Sequence, residues 1–364
     1  MPVADYLIVG AGLTGSVIAR MLSDAGRDVL VLDRRSHLGG NVHDHTHKSG
    51  IRIHTYGPHY FRTSSERIWE FVNRFSEFYK YEVCIKSDIY GELVNWPISA
   101  SYIRKVIGNN WLPEFVGTPS NFEDAALKMM PRKIYELFVK EYTEKQWGVS
   151  TQSLSAKLID RFNIRFDDDP RLTPHARFQG IPSLGYAHWM QQMLNGVSTI
   201  TGCDYNIKSE KYQYQAKLIY TGPIDEFFGY DIGKLKYRYQ RREHKIVTGI
   251  RGNGQACGQI NNPLHSGGPH IRTLEWKQMM PCHESNLIRG TILTTETPDT
   301  PTNPNDYEYP FPDDANAQLY HRYRLRAKSL ENIIICGRLG EYRYFDMDQA
   351  IARAMTIAEQ ILNE

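Results

Sequence analysis

Three glycines spaced as Gly10-Ala11-Gly12-Leu13-Thr14-Gly15 offer a backbone that can come close to an anion. In such a loop the first glycine turns the chain, the second admits a pyrophosphate, and the third lets a helix lie against a sheet. Asp33 follows about twenty residues on, the spacing at which a carboxylate reaches the hydroxyls of an adenosine ribose. Beyond it, Arg34-Arg35-Ser36-His37-Leu38-Gly39-Gly40-Asn41 sets two cations and a glycine pair where a second loop can wrap phosphates. These residues point to a dinucleotide held by Gly10, Gly12, Leu13, Thr14, Gly15, Asp33, Arg34, Gly40 and Asn41. An alternative use of Arg34 or Arg35, accepting the 2′-phosphate of NADP, leaves the paired glycines without a job. FAD is therefore the expected cofactor.

Two other clusters carry less. His43-Asp44-His45-Thr46-His47 alternates, so an extended chain points three imidazoles to one face, but the segment is not expected to hold a metal. Arg241-Arg242-Glu243-His244-Lys245 mixes charges and reads as a solvated face. The five cysteines are scattered, odd in number and never spaced as CxxC, which argues for free thiols and against a disulfide framework or zinc site.

Elements must bring the glycine loop and its partners together. Tyr6-Leu7-Ile8-Val9 reads as a buried strand, Ser16 to Leu22 as a helix, and Asp28 to Leu32 as a second strand. Lys217 to Tyr220 is a strand ending in Thr221-Gly222-Pro223. Asn332 to Cys336 is another ending in Gly337, and Met347 to Leu362 is an amphipathic helix. Three strands that each end in a glycine turn predict one sheet from distant parts of the chain, with the ligand at the carboxyl ends near Thr221, Gly337 and Met347. Tyr102 to Gln146 reads as helical. Tyr237 to Thr297 holds short alternating runs such as Leu287 to Leu293, expected to be antiparallel strands. Thr297 to Pro312 holds five prolines and reads as a surface loop or linker.

A chain of 364 residues has room for two or three domains. A net charge of +2 gives no case for nucleic acid or an anionic membrane as a partner. No stretch approaches the roughly eighteen apolar residues of a spanning helix, and the first residues lead straight into a strand without a signal peptide, so a cytoplasmic location is expected. Twenty-three tyrosines and six tryptophans occur at a mean hydropathy of −0.49, and rings with polar tips suit sites for sugars and bases.

Four further segments are specific. Glu141-Tyr142-Thr143-Glu144-Lys145-Gln146-Trp147-Gly148, Phe178 to Pro182, Tyr220 to Asp225, and Gly337-Arg338-Leu339-Gly340-Glu341-Tyr342-Arg343-Tyr344-Phe345-Asp346-Met347 together resemble the bacterial UDP-galactopyranose mutases, from the first strand to the last helix. The resemblance implies an α/β fold with a discontinuous FAD-binding Rossmann-like domain (1–78, 180–228 and 328–364), an inserted helical bundle (100–158) and an antiparallel sheet domain (79–99, 159–179 and 229–327). It also implies an isomerase that interconverts pyranose and furanose forms of UDP-galactose, with N5 of reduced FAD attacking the anomeric carbon. NAD(P)H or another reductant, a UDP-sugar substrate and a homodimer come with it.

Position by position, the resemblance gives Arg165 and Arg272 to the pyrophosphate, and Tyr142, Trp147 and Asn262 to the uridine end. Tyr309 and Tyr344 become phosphate-bonding tyrosines, Arg338 a neighbour of the flavin, and Asp346 an active-site carboxylate that also stands as a helix N-cap. His59, in Tyr56-Gly57-Pro58-His59-Tyr60-Phe61-Arg62, falls beside the flavin. Arg62 replaces a second histidine and resembles what mutases accepting UDP-N-acetylgalactosamine carry; its guanidinium reaches farther than an imidazole. Phe178, in a nucleotide-contacting position, and Phe345 each replace a tyrosine, and Gly252 to Pro269 matches poorly. The sugar is therefore open between galactose and N-acetylgalactosamine. Two rivals share parts of this reading: an FAD-dependent oxidoreductase of the amine-oxidase type, and a nucleotide-sugar-binding scaffold without catalysis.

Overall fold

A computed structural model describes residues 3–162, 164–206 and 211–364. Strand Val3–Val9 is apolar on both faces because both are covered, as is usual in a parallel sheet. It lies inside a five-stranded sheet ordered Ser198–Ile200, Val29–Leu32, Val3–Val9, Gln213–Tyr220, Ile333–Ile335, with every pairing parallel. The three glycine-ended strands are thus neighbours. Val9 pairs with Tyr220 and Tyr220 with Ile335, so the turns at Gly10, Thr221 and Gly337 emerge side by side.

Helix Leu13–Asp24 packs on helix Met347–Leu362, which begins and ends where the sequence places it. Val17, Ile18, Ile351 and Met355 meet Ile8, Val31 and Ile219 of the sheet in one core that continues to Trp189 and Trp276. Each large apolar side chain so buried contributes roughly 1.5–3 kcal/mol.

A seven-stranded sheet forms the second layer, ordered Tyr309–Pro310, Tyr237–Val247, Thr291–Asp299, Arg272–Glu275, Gln259–Asn261, Ile85–Ile89, Glu92–Trp96. Its pairings are antiparallel except that between Gln259–Asn261 and Ile85–Ile89. A three-stranded antiparallel sheet of Phe61–Thr63, Phe178–Pro182 and Phe78–Lys80 adjoins the first core. The expected boundaries after residues 78 and 179 fall inside its strands.

The helical part comprises Ala100–Ile107, Phe122–Met129 and a run from Arg132 through a π-helical turn, Glu136–Lys140, into Glu141–Trp147. Ser99 and Asn121 cap the first two by accepting from Tyr102 N and Asp124 N. Phe122, Ile134, Tyr135, Phe138 and Trp147 form a separate core with Ile98 and Ile164.

Two sequence readings are corrected. Leu287 to Gly290 is not strand: the strand starts at Thr291, after a helical turn at Cys282–Ser285. Alternating apolar residues in so short a run do not separate strand from turn. Thr297 to Pro312 is a surface loop only in part. Strand Thr291–Asp299 runs into it, and Tyr307 and Glu308 are buried beneath the Arg35 and Arg242 side chains that bind its backbone or carboxylate. Its middle, with Thr300, Thr302 and Asn303 exposed, is a surface loop, and its later part is covered. Among the described residues no helix is long and apolar enough to cross a membrane.

Candidate active site

Where the three strand ends align, a cavity opens between Gly10, Gly12, Leu13, Thr14, Thr221, Gly337 and Met347. A Cβ on Gly10 would stand 2.0 Å from Thr221 Oγ1, and one on Gly15 1.9 Å from the Gly10 carbonyl. The protein's own packing demands those two glycines. At Gly12 the nearest atom to such a Cβ is Gly40 Cα at 3.8 Å, so the bare backbone there faces the cavity. Gly12 also caps helix Leu13–Asp24 without a side-chain hydrogen bond, leaving the first amides and the positive end of the helix dipole for an anion. This cradle fits a pyrophosphate.

The second loop closes against the first, Gly39 bridging to Gly12. Asp33 lies at the cavity wall, its carboxylate accepting from Ala11 N at 2.6 Å and Arg35 N at 2.8 Å. Arg34 is drawn off by Glu226 at 2.8 Å and Asp204 at 3.2 Å. Arg35 holds the loop instead: it donates to Asn41 Oδ1 at 2.9 Å, stacks 4.2 Å over Tyr56 and bonds the Asn305 carbonyl.

A larger cleft of about 1210 Å³ adjoins this cavity, and Asn41, His59, Arg338, Phe345 and Met347 line both. Arg272 on its wall belongs to a row across the seven-stranded sheet. Arg242 pairs in register with Glu296, Glu296 with Arg272, and Arg272 with Asn261. Arg242 Nε donates to Glu296 at 2.8 Å, Arg272 Nε reaches the same carboxylate, and Arg242 makes a two-pronged contact with Glu308 at 2.7 and 3.0 Å. Burial alone would raise the Glu296 pKa, but Arg272 and Arg242 together hold it below the usual carboxylate range. For Glu308 burial outweighs Arg242, and its pKa is raised. Arg242 was read as part of a solvated face. Its neighbours on the strand are exposed, but register turns this one side chain inward.

His59 sits at the junction. Its Nδ1 lies 2.7 Å from the Gly57 carbonyl, an acceptor only, so Nδ1 carries the proton and Nε2 keeps its lone pair. Burial, then Arg338, Arg242 and Arg272, push its pKa down to about 3. Gly57 has φ +92°, and a Cβ there would meet Glu296 Oε1 at 2.9 Å, so the histidine loop rests directly on the ionic row.

Tyr309 and Tyr344 stack 6.1 Å apart on the cleft wall. Arg161 lies 4.0 Å over the Tyr344 ring and Arg338 lies 4.7 Å from its centroid. Arg161 has no ion-pair partner among the described residues, and the sequence reading missed it. At the far end Trp147 meets Phe311 edge-on at 5.6 Å, with Trp96 and Phe162 beside them. Tyr142 lies close enough to Arg272 for that charge to oppose the burial that raises its pKa. Arg62 lines the cleft and donates to Asp346 at 2.9 Å, while Asp346 caps helix Met347–Leu362 and its amide donates to Gln349.

Four residues expected at the substrate do not line the cleft; one of them, Tyr142, stays near Arg272. Phe178 stacks flat on Trp69 at 5.0 Å and does not line the cleft, because its strand pairs centrally between two others and turns it to the Trp69 face. Asn262 spends its amide on Gly267 and His270 carbonyls within its own loop. Asn261 is the one that shares a face with Gln259, to which it is bonded at 2.9 Å, and with Arg272, a one-residue difference that reverses a strand's facing. Arg165 is 6% exposed, bonds the Arg171 carbonyl, and lines a side pocket behind Arg62 rather than the cleft itself. The alternating histidines bond hydroxyls: His43 stacks on His37 and shares the Thr55 hydroxyl with His45, while His47 bonds Ser49. Among the described residues no His, Cys, Asp or Glu group is arranged to hold a metal ion.

Known proteins resemble this chain in sequence and share its fold. The sequence profile of the UDP-galactopyranose mutase family matches residues 137–344, and that of an NAD(P)-binding Rossmann-like domain matches residues 8–75. A probable UDP-galactopyranose mutase of Klebsiella pneumoniae is 32% identical, covering 99% of this chain and 95% of that protein. A dTDP-fucopyranose mutase of Escherichia coli is 31% identical, covering 97% of each. The solved structure of a reduced UDP-galactopyranose mutase superposes with a TM-score of 0.80 at 14% identity, over 99% of this chain and 96% of that one. Likeness along nearly the whole length joins here to a common fold, and the chain belongs to the UDP-galactopyranose mutase family of isomerases.

Proposed function

We propose that the chain interconverts the pyranose and furanose forms of a nucleotide sugar, with UDP-galactose as substrate and FAD as cofactor, in the cytoplasm. The observation that carries this reading is the meeting of the two cavities at His59 and Arg338, one fitted to a pyrophosphate-linked dinucleotide and the other lined by cations and stacked rings. Bound there, reduced FAD would supply a nucleophile, N5, for chemistry at the anomeric carbon.

The chain's own residues bind and orient. Arg272, held rigid by Glu296, faces the negative charge that gathers on the departing pyrophosphate, and Arg161 with Tyr309 and Tyr344 supports the other side. Trp147 and its aromatic neighbours receive the base. Neutral His59 offers Nε2 as an acceptor at the cofactor edge. Arg165 lies one pocket away, on a loop that bears the 90% exposed Phe166, so its phosphate role requires that loop to move.

A second reading concerns the sugar. Arg62 lines the same cleft beside Asp346, and a guanidinium there suits an acetamido oxygen, which favours UDP-N-acetylgalactosamine alongside or in place of UDP-galactose. The test is dithionite-reduced protein incubated with UDP-galactose, UDP-N-acetylgalactosamine and dTDP-fucose, with product analysis. Furanose should form from a UDP-sugar and only with reduced protein. Comparable turnover by fully oxidised enzyme under oxygen overturns the mechanism, and oxygen consumption with an amine in place of isomerisation favours an oxidoreductase.

A further inference from the structure

Helix Glu141–Trp147 carries a lysine that the reaction does not use. Lys145 is 8% exposed, yet among the described residues its ammonium has no carboxylate within salt-bridge distance. Nζ donates instead to three backbone carbonyls: Asn262 at 3.0 Å, Leu264 at 2.6 Å and His270 at 3.2 Å. An ammonium has three donors, and all three are engaged. Every acceptor belongs to the loop between strands Gln259–Asn261 and Arg272–Glu275. Asn262 braces that loop from inside, and the His270 carbonyl takes a bond from both side chains. The loop ends at Arg272. On the helix side, Arg238 donates to the Gln146 carbonyl at 2.9 Å and the Lys145 carbonyl at 3.4 Å, fixing the helix to strand Tyr237–Val247.

We propose that Lys145 is a positioning residue for nucleotide recognition: its ammonium locks the 262–270 loop to the helix bearing Tyr142 and Trp147, and so sets the distance from the base-binding rings to Arg272. The inference rests on the nucleotide-sugar reading above. Three carbonyls facing one cationic head give a rigid joint: removing the head takes a charged donor from all three, leaving Leu264 only its bond from Gly267 N, His270 only its bond from the Asn262 amide, and the Asn262 carbonyl without its ammonium donor.

The joint is open to titration. Burial lowers the Lys145 pKa to about 8, with Glu141 opposing. Around it stand Glu141 and Glu144 on its own helix, His265 and His270 on the loop, and Arg238 on the adjoining strand. His270 has its pKa lowered by burial and by Lys145, so it is neutral where the lysine titrates. Glu141 accepts from His265 N, which keeps the acid beside the loop. Loss of the Lys145 proton leaves two N–H groups for three carbonyls and removes the charge. Nucleotide affinity therefore falls as pH rises through about 8.

The experiment is calorimetric binding of UDP to flavin-loaded wild type, Lys145→Met and Lys145→Arg across neutral and alkaline pH. Lys145→Met should bind UDP about tenfold or more weakly at neutral pH, the cost of misplaced binding groups, with flavin content unchanged and no alkaline fall. Lys145→Arg, charged throughout, should recover most of the affinity and also lose the alkaline fall. Wild-type affinity in Lys145→Met, or an unchanged alkaline fall in Lys145→Arg, overturns the inference. The arginine variant decides the matter if the methionine variant fails to fold. Absence of UDP binding by wild type overturns the nucleotide-sugar reading and this inference with it, whereas tight wild-type binding indifferent to Lys145 overturns this inference alone.

Discussion

The cavity at the strand ends is walled largely by backbone, with glycines at 10, 12, 39 and 40 bringing two loops together and one carboxylate, Asp33, pinning them. The cleft beside it is walled by side chains, including Arg272 from a row of three charged groups in register across three strands, with Glu308 bonded to that row, and aromatic rings drawn from the helical part, the sheet and the last turn before helix Met347–Leu362. A backbone site tolerates few residues but asks only for local order. A side-chain site tolerates more at each position but needs distant strands to meet in one alignment.

The sharpest way to break that contrast lies within the glycine loop. Gly15→Val should unfold the first layer, costing more than about 4 kcal/mol, because the new Cβ would lie 1.9 Å from the Gly10 carbonyl. Gly12→Val should keep the fold and lose the flavin, since its Cβ has room against the protein. Denaturant unfolding compared with flavin-stripped wild type, together with the flavin absorbance, separates the two. Equal behaviour would mean that Gly12 is structural as well.

In the cleft, Arg272→Ala should lower kcat/KM by about 2–4 kcal/mol of transition-state stabilisation with flavin content unchanged. Steady-state kinetics with reduced enzyme checks it. Near wild-type turnover would reduce the ionic row to scaffolding.

The third concerns the junction. His59 titrates near 3 when folded and near its ordinary value of 6.5 when unfolded. Between those limits the unfolded chain binds the extra proton, so stability falls as pH falls, by up to about 1.4 kcal/mol per pH unit from this group. His59→Asn should flatten that part of the stability curve, measured by urea unfolding at several mildly acidic pH values. An unaltered slope would mean that the histidine is not held neutral.

The smallest expected effect belongs to Arg62. Arg62→His should shift the ratio of kcat/KM values toward UDP-galactose over UDP-N-acetylgalactosamine by about tenfold, or roughly 1.4 kcal/mol. A constant ratio would make the arginine neutral toward the sugar.

Legibility in the sequence follows the same division. The parallel sheet, the glycine loop, Asp33 and helix Met347–Leu362 were readable because their signals lie in consecutive residues. Arg242 and Glu296 were not, because their significance comes from register between strands some fifty residues apart, which no local pattern records. Asn262 was placed by its match to a family position, and such a match fixes a neighbourhood, while facing changes with every residue of a strand; the residue in register with Arg272 is Asn261. Thr297 to Pro312 misled by its prolines, which mark a break in regular structure and say nothing of what lies above it. Arg161 sits in a short 3-10 helix whose period shows no face at that length.

The order of the five parallel strands also bears on how the protein is made. Val3–Val9 leaves a ribosome some two hundred residues before its neighbour Gln213–Tyr220, and the strand beyond that, Ile333–Ile335, comes later still. Gly337, Arg338 and Met347 belong to the cofactor cavity. A nascent chain that already displays the glycine loop therefore has no closed cavity to offer until those residues emerge, and its central strand waits with one edge unpaired. Contacts of such long sequence separation form slowly, and an open edge during that interval invites association with other chains. Cofactor capture thus waits for residues synthesised about three hundred positions after the motif that announces it.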